Sequence, residues 1–431
     1  MVDEIADRSF RRNAVLFVID SMGFVAGLAV LGPTTILPTL VRQLGGGPEV
    51  VGLLSAIQMG GYTLPQLIAG RYLANRARVK GQVVLLATLS RLVLLLMVPA
   101  LLFWALSAPA LALWALVVAF GGFCLIDSLS VVGWFDLMGK AVPQARRGRV
   151  MGAGQSLASL SGIGAGLLVK DFLGRQQAFP SSYIMIVLLA WGILALCPVA
   201  LALVKERPSA LECTERPSWS QYIPRLSTIL RQDRRFAWLA ATMCLAGFAD
   251  MGAVFYVLYA HERLGLPQQA IGLFISAQVV GGLLSGVALG PLGDRSGARA
   301  VIRTVMAMRF LAPLLVLATP LLAGLSPELA TGSFMVVFVL TGVVGGSYMT
   351  GSMNYLLEIA PAAERATYVA LANTLEGAIV LAPLAAGWIV KVGSYEPLLW
   401  LTCVLGLAGF AVCLRQPRRV PAAAAALEGR S

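Results

Sequence analysis

Long apolar runs separated by short polar stretches fill the chain from residue 14 to residue 414. At a rise of roughly 1.5 Å per residue, twelve of them are candidates to cross a bilayer as helices. They cover 14–40, 50–73, 82–106, 110–138, 150–173, 183–204, 236–260, 268–289, 300–322, 331–357, 367–392 and 397–414. Between the eighth and ninth lies GPLGDRSGAR, residues 290–299, which reads as a charged turn joining two membrane helices on one side. A weaker copy, GRYLANRARVKG at 70–81, falls between the second and third. The longest polar stretch, 205–235, carries seven basic residues and three prolines and reads as a linker.

The two sides of that linker resemble each other. A shift of 218 places Arg91, Asp136, Pro143, Arg147, Gly152 and Gln155 on Arg309, Asn354, Pro361, Arg365, Ala370 and Asn373. A shift of 220 places Gly52, Gln58, Gly61 and Gly70 on Gly272, Gln278, Gly281 and Gly290. Helix order and side are preserved, as in a parallel internal repeat. The expected fold is therefore all-α and membrane-embedded, with twelve transmembrane helices as two pseudo-symmetric six-helix bundles. The first bundle takes 1–204, a cytoplasmic linker 205–235, the second bundle 236–414 and a cytoplasmic tail 415–431.

Composition agrees with a chain that lives in lipid. Only 13% of its residues are charged and 58% are hydrophobic, against roughly 25% charged in soluble domains. The first apolar run is too long for the core of a cleavable signal. The formal net charge of +12 invites a nucleic-acid reading, but its placement argues otherwise. With loops assigned alternately, 26 of the 33 Lys and Arg fall on the N-terminal side. Arg42, Lys170, Arg175, Arg263 and Lys391 lie opposite, and Arg91 and Arg309 lie inside helices. That asymmetry puts both termini in the cytoplasm of a cell (plasma) membrane protein and leaves nothing for nucleic acid to explain. The polar leader, residues 3–13, is expected along the inner membrane surface. Six cysteines without paired spacing point to apolar filler rather than to disulfides or a metal site.

Twelve helices as six plus six, a polar linker and the G-x-x-x-D-R-x-G-x-R turn resemble the major facilitator superfamily of secondary transporters. The resemblance implies that Asp294 and Arg295 hold the cytoplasmic side closed in the outward-facing state. Gly290 and Gly297 would permit the tight turn, and Arg299 would sit at the inner lipid surface. In the first-half copy Ala74 and Asn75 replace the family's Asp and Arg. The resemblance also implies that helices 1, 4, 7 and 10 line a central cavity, and that the protein is a monomer.

Ionisable residues inside membrane spans are functional candidates because burying them in hydrocarbon is costly. Asp20, Asp127 and Asp250 fall on the helices expected to line the cavity, and Glu376 falls in helix 11. They are candidates for a proton or substrate path, joined by the uncharged Gln58, Gln278, Tyr348 and Asn354. Arg91 and Arg309 read as ion-pair partners, Arg91 for Asp20 or Asp127 and Arg309 for Asp250 or Glu376. Gly162–Gly166 and Gly345–Gly346 read as close helix packing, Pro383 with Gly387 as a bend, and His261 as a solvated lone histidine. No nucleotide-binding loop, hydrolase elbow or metal-spaced histidine cluster is present, so neither enzyme activity nor a cofactor or metal is expected. The expected function is proton-coupled movement of a small organic molecule by alternating access, leaning towards export of amphipathic or cationic compounds. The competing expectations are a facilitator or importer of a polar solute (sugar, amino acid or organic anion) and, more distantly, a non-transporting sensor or assembly factor.

Overall fold

The computed structural model describes residues 2–73, 78–142, 144–174, 179–206, 229, 232–324, 326–347, 349–360, 368, 371–372, 375, 377 and 379–416. Every regular element among them is helical. Among the described residues ten helices are long and apolar enough to cross a membrane, and several are apolar on all sides, with Phe103, Val118 and Val287 more than half exposed on their outer faces. Such a helix is stable only where lipid or protein surrounds it.

The first half comprises α1 (Val2–Leu31), α2 (Ile36–Gln43), α3 (Pro48–Leu73), α4 (Lys80–Leu95), α5 (Met97–Trp104), α6 (Pro109–Ala141), α7 (Gln144–Gly174) and α8 (Ser181–Ala202). After the linker come α9 (Arg234–Asp250), α10 (Tyr256–Glu262), α11 (Ala270–Leu284), α12 (Gly290–Ser296), α13 (Ala298–Ala323), α14 (Pro327–Gly346), α15 (Asn354–Ile359), α16 (Ala382–Gly393) and α17 (Tyr395–Leu414). Within the first half α1 packs on α7 and α8, and α6 on α3 and α4. Within the second, α13 packs on α14 and α17, α11 on α14 and α9 on α17.

Several expected boundaries move for local reasons. The leader does not lie apart along the surface but continues α1 back to Val2, since nothing from residue 2 to 13 interrupts helix propagation. The first span breaks at Gly32, whose φ of +57° suits glycine and whose successor is Pro33. The third span breaks into α4 and α5 at Leu96, because Pro99 has no N–H to give the Leu95 carbonyl. The stretch 290–299 is not one turn. Helix persists to Ser296 after a π-helical segment, Ser285–Leu289, and the reversal is confined to Gly297 at φ +80°. Pro383 sits in the first turn of α16, where its missing N–H costs nothing, so it starts this helix rather than bending it.

Two seams join the halves: α7 against α11, and α3 against α16. Both are antiparallel, and both are built on glycines. A Cβ on Gly166 would stand 2.7 Å from the Gly272 carbonyl, and one on Gly162 2.9 Å from Val279. On the other seam a Cβ on Gly387 would stand 2.5 Å from the Pro48 carbonyl, and Gly52 abuts the Pro383 carbonyl. Gly52 and Gly272 are repeat-related, and each meets the opposite half. Gly61 and Gly281, also repeat-related, meet Cys124 on α6 and Val339 on α14. The sequence repeat thus marks positions where backbones approach too closely for a side chain.

Gly272→Ala is expected to destabilise the purified protein by about 1–3 kcal/mol through overpacking. Gly192→Ala, with open space around its Cα, is expected to be neutral or slightly stabilising. Thermal and denaturant unfolding of both variants checks the pair.

Candidate functional site

Residues on three helices converge inside the first half. On α6, Asp127, Ser130, Val131 and Trp134 recur at helical spacing and share a face. On α4, Ala87 and Arg91 are one turn apart, and on α1, Asp20, Ser21, Phe24 and Val25 line the same space. They line a cavity of about 270 Å³, to which Leu201 of α8 also contributes.

Arg91 is paired with Asp127, and both are nearly fully buried. Arg91 also donates to Ser90 Oγ at 2.6 Å, and its guanidinium lies over Phe24 and Phe123 at 5.7 and 5.8 Å from the ring centroids. Asp127 Oδ2 accepts from the Tyr62 hydroxyl at 3.2 Å, and Oδ1 from Ser90 at 3.4 Å. A buried ion pair is tolerated where further hydrogen bonds satisfy its remaining lone pairs, and Tyr62 and Ser90 do that here. Arg91 Nε remains without a partner. Asp20, 6% exposed, is not the ion partner of Arg91. Its Oδ2 accepts from the Trp134 indole N–H at 2.7 Å, and the Cys197 thiol is the other side chain that hydrogen-bonds the carboxylate. Phe17 stacks edge-on against the same Trp134 at 5.5 Å, fixing the indole.

In the second half Arg309 grips Asp250 with a fork of three bonds, two from Nε at 2.9 and 3.0 Å and one from Nη2 at 2.9 Å. Asp250 ends α9, where a helix disfavours negative charge, and the guanidinium offsets that. This pair is wetter than the first: the side chains are 43% and 18% exposed. The two arginines are repeat-related, but their acids are not, coming from α6 in one half and from the end of α9 in the other. The aspartates expected along one pathway are thus each held by an arginine of their own half, apart from Asp20. Gln58 and Gln278 are half-buried and make no side-chain hydrogen bond to a described residue; Asn354 is exposed on α15. Glu376, Tyr348, Asn373 and Thr374 lie outside the residues whose side chains are described, as do Ala74 and Asn75.

The two ends of the molecule differ. At the end where α2 and α10 meet, Arg42 Nε donates to Glu262 at 2.6 Å and Lys391 to Glu49 at 3.0 Å. Both pairs cross between the halves. Tyr395 also donates to Glu262 at 2.7 Å, and Arg263 pairs with Glu396 at 3.2 Å. His261 is half-buried rather than solvated, with Nδ1 3.0 Å from the Leu266 carbonyl. At the opposite, basic end Asp294 and Arg295 are exposed on α12 and bond to no described residue. Arg299 donates to the Gln416 carbonyl at 3.2 Å and Arg303 to that of Leu414 at 3.3 Å, within the second half. Among the described residues no hydrogen bond or ion pair joins the halves at this end.

Sequence reasoning passed over Glu49 and Glu262 and treated Arg42 and Lys391 as loop charges only. A signal was present: Arg42 and Glu262 are 220 residues apart, which is the repeat shift. Positions related by a repeat lie equally far from the axis relating the halves. Close to that axis they touch, and opposite charges there form a bond between halves.

Asp127→Asn is expected to cost about 3–5 kcal/mol of stability, because it strands a buried guanidinium. Arg91→Met with Asp127→Leu is expected to recover most of that loss, and Asp250→Asn to cost less than Asp127→Asn because water reaches the pair. Denaturation of the three variants checks the order.

Comparison with known proteins follows the same lines. The major facilitator superfamily profile matches residues 19–270 and 250–430, and no curated protein sequence gives a match. Among solved structures, the nucleoside transporter NupG (D323A mutant) is similar at TM-score 0.70 and 12% identity, covering 95% of this chain and 100% of that one. A bacterial homologue of the iron transporter ferroportin, in an inward-facing state, is similar at 0.67 and 15%, covering 95% and 99%. A D-xylose-proton symporter is similar at 0.65 and 16%, covering 97% and 98%. At such identities the likeness speaks for the fold alone, but the profile covers nearly the whole chain: it belongs to the major facilitator superfamily, and is a multi-pass membrane transporter rather than an enzyme.

Proposed function

We propose that the chain is a secondary transporter working by alternating access between two six-helix bundles, 1–204 and 236–414, joined by the linker 205–235. On this reading twelve helices span the plasma membrane. α3 and α16, which are not among the ten helices long and apolar enough by themselves, supply two of them, and both termini are cytoplasmic. One observation carries the proposal: among the described residues the ion pairs that join the halves lie at one end. Arg42–Glu262 and Glu49–Lys391 close the outer end, while Asp294 and Arg295 stand disengaged at the basic end. That is the arrangement of an inward-facing state, and in the outward-facing one Asp294 and Arg295 would take over as the cytoplasmic gate.

The coupling proposed is to protons, through the arginine–aspartate pairs. A proton arriving at Asp127 or Asp250 cancels the charge that holds Arg91 or Arg309, and the freed guanidinium must find another acceptor. Loading of substrate and protonation thereby compete for the same charge balance. Cargo is a small organic molecule, amphipathic or cationic, with export favoured. The protein acts as a monomer.

Crosslinking the outer end tests the cycle. In proteoliposomes Arg42→Cys with Glu262→Cys is expected to lose flux on oxidation and regain it on reduction. Flux that continues with the crosslink formed would contradict alternating access. Breaking the exposed pair by Glu262→Gln is expected to shift the conformational balance only about 1.5- to 5-fold, since such pairs contribute about 0.2–1 kcal/mol, with recovery in the charge-swapped double variant. Currents on solid-supported membranes, run for cationic amphiphiles, sugars, amino acids and organic anions with and without a pH gradient, address coupling. Substrate-dependent currents that vanish in Asp127→Asn or Asp250→Asn are expected. Currents unchanged in both would remove the carboxylates from the mechanism.

A further inference from the structure

In the first-half cavity three formal charges meet, and they do not cancel. Arg91 and Asp127 neutralise each other at one wall, with Tyr62 and Ser90 completing the coordination of Asp127. Asp20 is left over. One of its oxygens is held by Trp134; among the described residues the only other side chain that hydrogen-bonds the carboxylate is the thiol of Cys197, a weak donor. The residue is 6% exposed and lines the cavity, so little bulk water is available to stabilise its charge. Among the described residues no other lysine, arginine or histidine lines the cavity.

The remaining walls are apolar or aromatic: Phe24, Val25, Val131, Trp134, Phe135 and Ala87. A carboxylate at the edge of aromatic faces favours one kind of ligand. A cation gains from the charge and from the ring quadrupoles together, more so where water is excluded. An anion meets Asp20 unpaired while Arg91 is already engaged. A neutral molecule does not compensate the carboxylate, which would have to take up a proton for it to bind.

We infer that this cavity binds a small monovalent organic cation with an apolar body, its charge set against the Asp20 carboxylate and its body against Phe24, Trp134 and Phe135. A protonated amine would add a hydrogen bond to that carboxylate; a quaternary ammonium would bind by charge and ring contact alone. The site lies among α1, α4, α6 and α8 rather than at the seams between the halves. Trp134 is a positioning residue that orients Asp20 as well as a wall. The inference names the ligand class for the transport reading and takes its physiological sense from it, but binding is measurable without transport.

Calorimetric titration of the full-length protein in lipid nanodiscs with phenyltrimethylammonium, its neutral isostere tert-butylbenzene and the anion benzenesulfonate tests it. The expected result is saturable binding of the cation in preference to both others, weakened by about tenfold or more in Asp20→Asn. Ala87→Leu, which fills the cavity and leaves every charge in place, is expected to abolish binding, so the outcome does not hang on one charge variant. Trp134→Phe keeps the wall and removes the N–H, and is expected to weaken binding less than Asp20→Asn does. Glu328→Gln, at the exposed start of α14, should leave it unchanged. No binding to the wild-type protein, equal binding of the neutral isostere, preference for the sulfonate, or undiminished binding in Asp20→Asn would each overturn the assignment. Asp20-dependent binding with no flux of any compound would remove the transport proposal and leave the cation site standing; flux without that binding would do the reverse.

Discussion

A charge placed among apolar helices must find its opposite, and this requirement shapes the interior of the protein. Arg91 is the clearest case. An unpaired guanidinium at its depth would cost several kcal/mol, so α4 and α6 are locked together by Asp127, and α3 is drawn in through Tyr62. The same helices then leave room beside the pair for Asp20 and its cavity. In the second half Arg309 does the equivalent service for the end of α9, beside which the chain unwinds into a short 3-10 segment, Ala253–Phe255. The pairs are fixed points, and the apolar surfaces around them are free to meet lipid.

Between the halves the constraint is different, since backbone approach replaces charge pairing through most of the depth. Glycines on α3, α7, α11 and α16 let the helices meet at their carbonyls, so the seams depend on a few positions where no side chain fits. Among the described residues, the salt bridges between the halves close one end of those seams. Exposed pairs of this kind contribute little individually, which suits contacts that must break and re-form: a gate held by deep, dry ion pairs would not open on a useful timescale.

Much of this was legible in the chain itself. Apolar run length gave the helices, and charge asymmetry and the repeat gave an expected topology and pairing of halves. What was not legible had local or three-dimensional causes. The charged stretch 290–299 read as a turn because glycine, proline and charge cluster there, yet helix continues to Ser296 because Pro291 sits in its first turn and only Gly297 needs positive φ. Asp20 and Asp127 looked alike in sequence, both acids in apolar runs; their neighbours, not their spacing, give Asp127 an arginine and Asp20 an indole N–H and a thiol. The Arg42–Glu262 bond was implicit in the repeat but needed the axis between the halves to be placed close by.

The central claim is that the two ends of the molecule open in alternation. Spin labels at Gln43 and Pro267 report the end closed by Arg42–Glu262, and labels at Arg78 and Ser296 report the basic end. Pulsed electron resonance distances in nanodiscs, with and without transported compounds, test the claim most directly. The account predicts opposed changes: the first distance lengthens as the second shortens. Distances that stay single and fixed at both ends under every condition, or that lengthen together, would contradict it.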